Sequence, residues 1–223
     1  IAGLRNTRDV VAAFPTILRQ EALDHAVVQL EVCRRRGITG IASGNVGLLL
    51  EARRGGFKLY GTSDLNASNA AAVAFWQKFG LCSLEASREL NLKYLAAMAK
   101  GSPIPIETIG YGKIELMKIE NCLISVAKNE CNCAPQKTYE LLDRKEVRMR
   151  VSRNGCISTV YNSVPVATAD RQNELWDCGI SAIKLVFTDE PPDVCRKICL
   201  DYLEERKCMP EQYTRGHYYR GAE

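Results

Sequence analysis

The chain is poor in histidine: its 223 residues contain only His25 and His217. Neither belongs to an H-E-x-x-H motif, and no G-x-S-x-G elbow occurs. Two common ways of building a hydrolytic centre are therefore missing. Long apolar runs are missing too. No stretch approaches the roughly 18 uncharged apolar residues that suggest a membrane span, and no charged-then-apolar leader of the secretory kind is present. Charge of one sign is not in large excess. Thirty Lys and Arg against 26 Asp and Glu give a net +4, which permits an anionic partner without arguing for one. The chain opens on Ile1 rather than Met and stops after RGAE, so the expectation is a piece of a longer polypeptide.

Cysteine, by contrast, is plentiful, with ten residues. Disulfide scaffolds concentrate their cysteines in short, loop-rich secreted chains. Here Cys33, Cys82, Cys178, Cys195, Cys199 and Cys208 are scattered through helix-like or strand-like apolar patterns, where free cysteine behaves as a small hydrophobe. A reduced, cytoplasmic protein with one special cluster is the expectation, with no membrane partner. That cluster is Cys122, Cys131, Cys133 and Cys156, separated by eight, one and 22 residues. Four thiolates from one loop and one returning strand suffice for tetrahedral zinc or for an iron–sulfur cluster, and sulfur donors suit both.

Between these cysteines the chain alternates short apolar runs with helical patterns. ITGIA is followed by NVGLLLEARR, FKLYG by SNAAAVAFWQKFG, LCSLEAS by ELNLKYLAAMAKG, and then IPIETIGYG runs into glycine. Strand–helix units at this spacing predict a parallel sheet. The fold class expected is α/β, a partial or complete (β/α) barrel-like sheet. The pattern resumes in NELWDCG, ISAIKLVF and PPDVCRKICLDYLEERK. In the last of these, Thr188 or Asp189 is the expected cap, with Pro191 and Pro192 at the first helical positions. EALDHAVVQLEVCRRRG predicts an early helix, and AAFPTIL an early strand. The regularity breaks over 117–163, where TYELLDRKEVRMRV alternates like a hairpin. The expected organisation is one α/β domain over 1–223 with a cysteine-rich, metal-binding β-hairpin insertion at 117–163. Loops on the C-terminal side of barrel strands gather function. That rule nominates Glu89 in SREL, Asn66 and Asn69 in DLNASN, and Glu107 in a barrel mouth, although Asn69 also suits a helix cap. TRGHYYRG brings Arg215, His217, Tyr218, Tyr219 and Arg220 into one glycine-bracketed loop. Guanidinium groups there suit phosphate or carboxylate, and aromatic faces suit a stacked base.

From about Phe14 to Glu223 the chain resembles the collagenase-like peptidases of family U32. The resemblance runs through GNVGLLLEARRGGFKLYGTSDLNASN, SRELNLKYL, ETIGYGKIELMKIENCLIS, YELLDRK, CISTVYNSVPV, GISAIKLVFTDE and YTRGHYYRGAE. Glu107, Gly112, Ile114, Cys122, Ile124 and Ser125 fit the family signature. Ile109, Lys113, Glu115 and Glu120 depart from it, Glu115 standing where relatives carry a cysteine. The family name implies proteolysis of unknown catalytic type. Other members resemble 4Fe–4S proteins needed to hydroxylate RNA bases or a quinone precursor, and their cluster cysteines match Cys122, Cys131 and Cys156. Cys133 is then the natural fourth ligand. The resemblance thus implies a 4Fe–4S cluster, with zinc as alternative, and an RNA or small anionic co-substrate. Glu89, Glu107 and His217 are the catalytic candidates. Asn66, Asn69, Arg215, Tyr218, Tyr219 and Arg220 are the substrate-binding ones. A collagenase-like peptidase with a peptide substrate and a zinc-stabilised RNA- or protein-binding module are the other readings. The remaining N-terminal part of the parent chain is an expected partner.

Overall fold

A computed structural model describes residues 9–129 and 139–220. The fold is mixed α/β, and its parallel sheet curls into a partial (β/α) barrel. The chain divides into two compact units, one formed by 1–109, 173–184 and 216–223, the other by 110–172 and 185–215.

In the first unit the expected alternation is present. Strand β1 (Val11–Ala13) precedes helix α1 (Gln20–Arg35). Then come β2 (Gly40–Ser43), α2 (Val46–Arg54), β3 (Lys58–Gly61), α3 (Ala70–Phe79), β4 (Leu81–Glu85), α4 (Leu92–Lys100) and β5 (Ile106–Gly112). Neighbouring strands from β1 to β5 pair in parallel. Three helices begin on asparagine. The side chains of Asn45, Asn69 and Asn91 accept the N–H groups of Leu48, Ala72 and Tyr94, which satisfies donors that a first helical turn leaves unpaired. α2 packs on β2 and β3, and α3 on β4. The amphipathic helices bury Leu48, Leu49, Leu95 and Met98 along with Ile41, Leu59, Leu84 and Ile106 from the strands. Each such side chain contributes on the order of 2 kcal/mol of hydrophobic stabilisation.

The second unit takes the end of β5 and adds a four-stranded antiparallel sheet in the order β6 (Glu115–Ile119), β9 (Ile157–Tyr161), β8 (Arg148–Asn154), β7 (Tyr139–Leu142). The expected hairpin is the β7–β8 pair, in register from Tyr139 opposite Val151 to Leu142 opposite Arg148. β6 and the short helix α5 (Leu123–Lys128) were not legible in the sequence. β10 (Val166–Ala167) pairs with Tyr111 and Gly112 of β5. The chain then returns to the first unit for the short helix α6 (Gln172–Asp177) and most of β11 (Ala182–Leu185), and α7 (Pro192–Leu203) of the second unit comes last. Pro192 takes the first helical position of α7, but its cap is Pro191 rather than Thr188 or Asp189. Asp189 is already committed to ion pairs with Lys113 and Arg150.

Gly112 closes β5 with φ of 137°, and a Cβ there would overlap the backbone carbonyl of Val186. Gly56 is also left-handed, at φ 75°, but a Cβ there meets open space. Gly112→Ala is expected to lower unfolding free energy by about 3 kcal/mol or more, combining backbone strain with overpacking. Gly56→Ala should cost about 1 kcal/mol, the left-handed penalty alone. Urea unfolding of the two variants checks the contrast.

Candidate functional site

Strand alternation decides which side chains of β4 and β5 can meet. Leu84 pairs with Ile106 and Glu85 with Glu107. One row is apolar and buried; the next faces the other side of the sheet, the inner face of the curl. Ser83 and Tyr60, which also pair, share that inner face. On it Glu85 is only 2% exposed. An isolated carboxylate so deeply buried would be strongly unfavourable. Arg88 supplies Nε at 3.1 Å from one oxygen, and Lys184 on β11 supplies Nζ at 2.9 Å from the other. Burial pushes the Glu85 carboxyl up. The charges and hydrogen bonds of Arg88 and Lys184 outweigh it and hold the group below the ordinary carboxylate range. Lys184 also lies 3.8 Å from Glu107, whose other oxygen accepts the Ser83 hydroxyl. The result is a chain of groups, Arg88–Glu85–Lys184–Glu107–Ser83, with Glu107 as its more accessible carboxylate. Such an end can accept a hydrogen bond from a bound molecule, while Glu85 holds Lys184 in place.

Of the residues singled out from the sequence, Glu107 alone enters this cluster. Glu85, Lys184, Ser83 and Arg88 were missed. Asn66 adopts the left-handed conformation at φ 48° and accepts the Ser87 hydroxyl at 2.9 Å. Asn69 caps α3, its Oδ1 2.9 Å from the Ala72 N–H. Glu89 is exposed in the loop after β4, and His217 is half-buried. Tyr218 is 7% exposed. Its hydroxyl lies 2.8 Å from Thr108 Oγ1 and donates to the Ile109 carbonyl, so the ring packs into the unit. Tyr219 is partly exposed and donates to Glu174 at 2.8 Å. Arg220 is exposed.

In the second unit Arg215 is occupied. Its guanidinium grips both oxygens of Asp170, at 2.6 and 2.7 Å, and donates to the Ala167 carbonyl at 3.0 Å. The cysteine region is different. Cys122 opens α5, and its sulfur accepts the Ser125 N–H at 3.4 Å, with Arg153 Nη1 at 3.9 Å. The Ser125 N–H, aided by Arg153, holds the thiol below its usual range. Ser158 is fully buried and ties this segment down: its hydroxyl donates to the Asn121 carbonyl and accepts the Leu123 N–H, both at 3.4 Å. Ser158 lies opposite Ile119 in the β6–β9 pair. Asn154 lies opposite Ile157 in β8–β9, so Cys156 occupies the two-residue turn two positions before Ser158. It is exposed. Gly155, at φ 59°, supplies the left-handed first position of that turn. Cys122 and Cys156 therefore belong to the same end of the antiparallel sheet. Glu115 begins β6 and pairs with Lys118 at 2.9 Å. Four residues of strand, about 13 Å, separate it from Ile119. Cys131 and Cys133 lie outside the described residues. Among the described residues no three His, Cys, Asp or Glu side chains are grouped closely enough to hold a metal. Of the four expected ligands, Cys122 and Cys156 are described, and both carry free thiols, the donor that such a cluster takes.

Removing a cation from the inner cluster leaves Glu85 buried beside a single partner. Lys184→Met should cost about 3 kcal/mol, near the lower bound for a broken buried pair because Lys184 is one-third exposed. Glu85's lowered pKa stabilises the fold above the unfolded glutamate value of about 4.3, and this contribution is lost as pH falls through the folded value. Denaturant midpoints measured across the acid range should thus fall less steeply in Glu85→Gln than in the parent protein.

Among curated proteins the chain is similar to a protein named Collagenase from Porphyromonas gingivalis (strain ATCC BAA-308 / W83). The two are 21% identical over 205 residues, covering 85% of this chain and 48% of the relative. The chain thus spans about half the length of that relative. No solved structure matches. The family description "Peptidase family U32" matches residues 3–187. With most of its length matched, the barrel-like sheet and the cysteine-bearing segment included, the chain belongs to peptidase family U32.

Proposed function

We propose that this chain holds a 4Fe–4S cluster through Cys122, Cys131, Cys133 and Cys156 and supports the hydroxylation of RNA bases. The observation that carries the reading is the shared location of Cys122 and Cys156 at one end of the antiparallel sheet, with the Cys122 thiol drawn toward the thiolate by Ser125 and Arg153. Thiolate is the ligand form. When bound, such a cluster supplies one-electron transfer. The rest of the work falls to the chain's own side chains. Ser158 fixes the backbone on both sides of Cys122. Arg153 places positive charge beside the sulfur, against the ring of Tyr139. Glu107, steadied by Ser83 and Lys184, is the carboxylate offered to substrate. Arg220 and Tyr219 are the exposed residues of the C-terminal loop proposed to meet an anionic or aromatic part of it, since Arg215 is held by Asp170.

The curated relative's name favours a second reading, collagenase-like proteolysis. A peptidase needs a nucleophile beside a base or a water-activating metal. Of the two histidines, His25 is exposed on α1 and His217 half-buried in the C-terminal loop, and neither is hydrogen-bonded through its ring among the described residues. The described residues thus offer proteolysis no histidine-based centre, and the cysteine pair is what favours the cluster reading.

Protein purified without air is expected to show a broad absorbance near ~400 nm and about four irons per chain. Cys122→Ser and Cys156→Ser should each lose most of both. A colourless protein carrying one zinc would overturn the cluster in favour of a structural metal site. Full metal content in both variants would overturn the ligand set. Gelatin cleavage by the full-length parent, abolished by chelation, would restore proteolysis.

A further inference from the structure

A cavity of about 140 Å³ lies in the second unit, lined by α7, by the loop after it and by Tyr111 of β5. Tyr111, Ile198, Tyr202 and Met209 form much of its wall, with Lys197 and Asp201 from α7. Asp201 is the unusual member. It is 5% exposed, and its Oδ1 is buried without a hydrogen-bond partner among the described residues. The neighbouring phenols are already committed. The Tyr202 hydroxyl donates to the Gly110 carbonyl at 2.6 Å and accepts the Thr168 N–H at 2.9 Å, and the Tyr111 hydroxyl donates to Glu190 at 3.3 Å. Neither is needed to answer Asp201. Lys197 stands one helical turn earlier on the same wall, yet Oδ1 remains unpaired. A lysine four residues before a carboxylate is the poorer orientation for a helical ion pair. A carboxylate oxygen buried against aromatic and aliphatic groups calls for a donor carrying positive charge. The volume sets the donor's size, because an apolar cavity of about 150 Å³ holds a benzene ring.

We propose that this cavity binds a small organic cation, a primary ammonium on a compact apolar body of about six to eight non-hydrogen atoms. Asp201 Oδ1 accepts from the ammonium, and Tyr111, Ile198, Tyr202 and Met209 enclose the body. Cation–π attraction to the two phenol rings favours the same ligand. The site uses none of the cysteines, so it stands or falls independently of the cluster.

Calorimetric titration of the intact chain with benzylamine tests this, with benzyl alcohol as the uncharged counterpart. Binding of benzylamine is expected at least about tenfold tighter than of the alcohol, the worth of one charge-assisted hydrogen bond. Asp201→Asn should lose about the same factor, while its thermal midpoint without ligand stays at or above the parent's. Ile198→Phe, which fills the cavity, should abolish binding, and it decides the matter should Asp201→Asn fail to fold. Equal binding of amine and alcohol, full affinity in Asp201→Asn or Ile198→Phe, or no binding at ~10 mM amine would each overturn the proposal. Tighter binding of Nα-acetyl-lysine amide than of benzylamine would assign the cavity to a protein lysine and overturn the free-amine ligand.

Discussion

A carboxylate with 2% of its surface exposed is tolerable only while cations are held against it. Glu85 imposes that condition on the first unit. Arg88 comes from the loop just beyond β4, so local chain geometry supplies it. Lys184 is 99 residues away in sequence and arrives only when β11 takes its place beside β5. The ion pair therefore specifies where the chain must return after the second unit. A slip of β11 by one residue would turn Lys184 to the opposite face and strand the charge. Hydrophobic burial of Leu84 and Ile106 supplies stability on one side of the sheet, and the ion pair on the other side supplies register.

The second unit solves a different problem, the placing of thiols. Its devices are short-range. A buried serine hydroxyl clamps the residues flanking Cys122, and a two-residue glycine turn presents Cys156. Both thiols thus stand at one end of the antiparallel sheet.

Much of this was legible in the sequence, and the reasons separate cleanly. The strand–helix alternation, the Asn69 cap, the β7–β8 hairpin and the proline start of α7 all follow from local pattern, since periodicity and caps act within a few residues. What was not legible depends on distant partners. LCSLEAS reads as a strand with a polar end; nothing local says that Glu85 is buried or that the lone cation of ISAIKLVF is its partner, though a lysine within an apolar strand was the available signal. Arg215 looked like an anion site because its guanidinium was unassigned, and Asp170 proves to be its anion. Asp201 reads as an ordinary polar helix residue, and only tertiary packing makes it a buried one. Thr188 and Asp189 have good capping chemistry, but Asp189 is drawn away by Lys113 and Arg150.

Tyr218 carries a consequence for how the chain is made. Its hydroxyl meets Thr108 and the Ile109 carbonyl across 110 residues of sequence, and its own carbonyl accepts the Leu92 N–H at 3.0 Å. A ribosome adding roughly 5 to 20 residues per second needs on the order of 6 to 22 seconds to pass from one partner to the other. Throughout that interval the first unit exists without the ring that fills it. The antiparallel sheet, whose strands lie close together in sequence, can close in the meantime. Synthesis thus favours an order in which the antiparallel sheet closes before Tyr218 reaches Thr108 and Ile109 in the barrel-like unit.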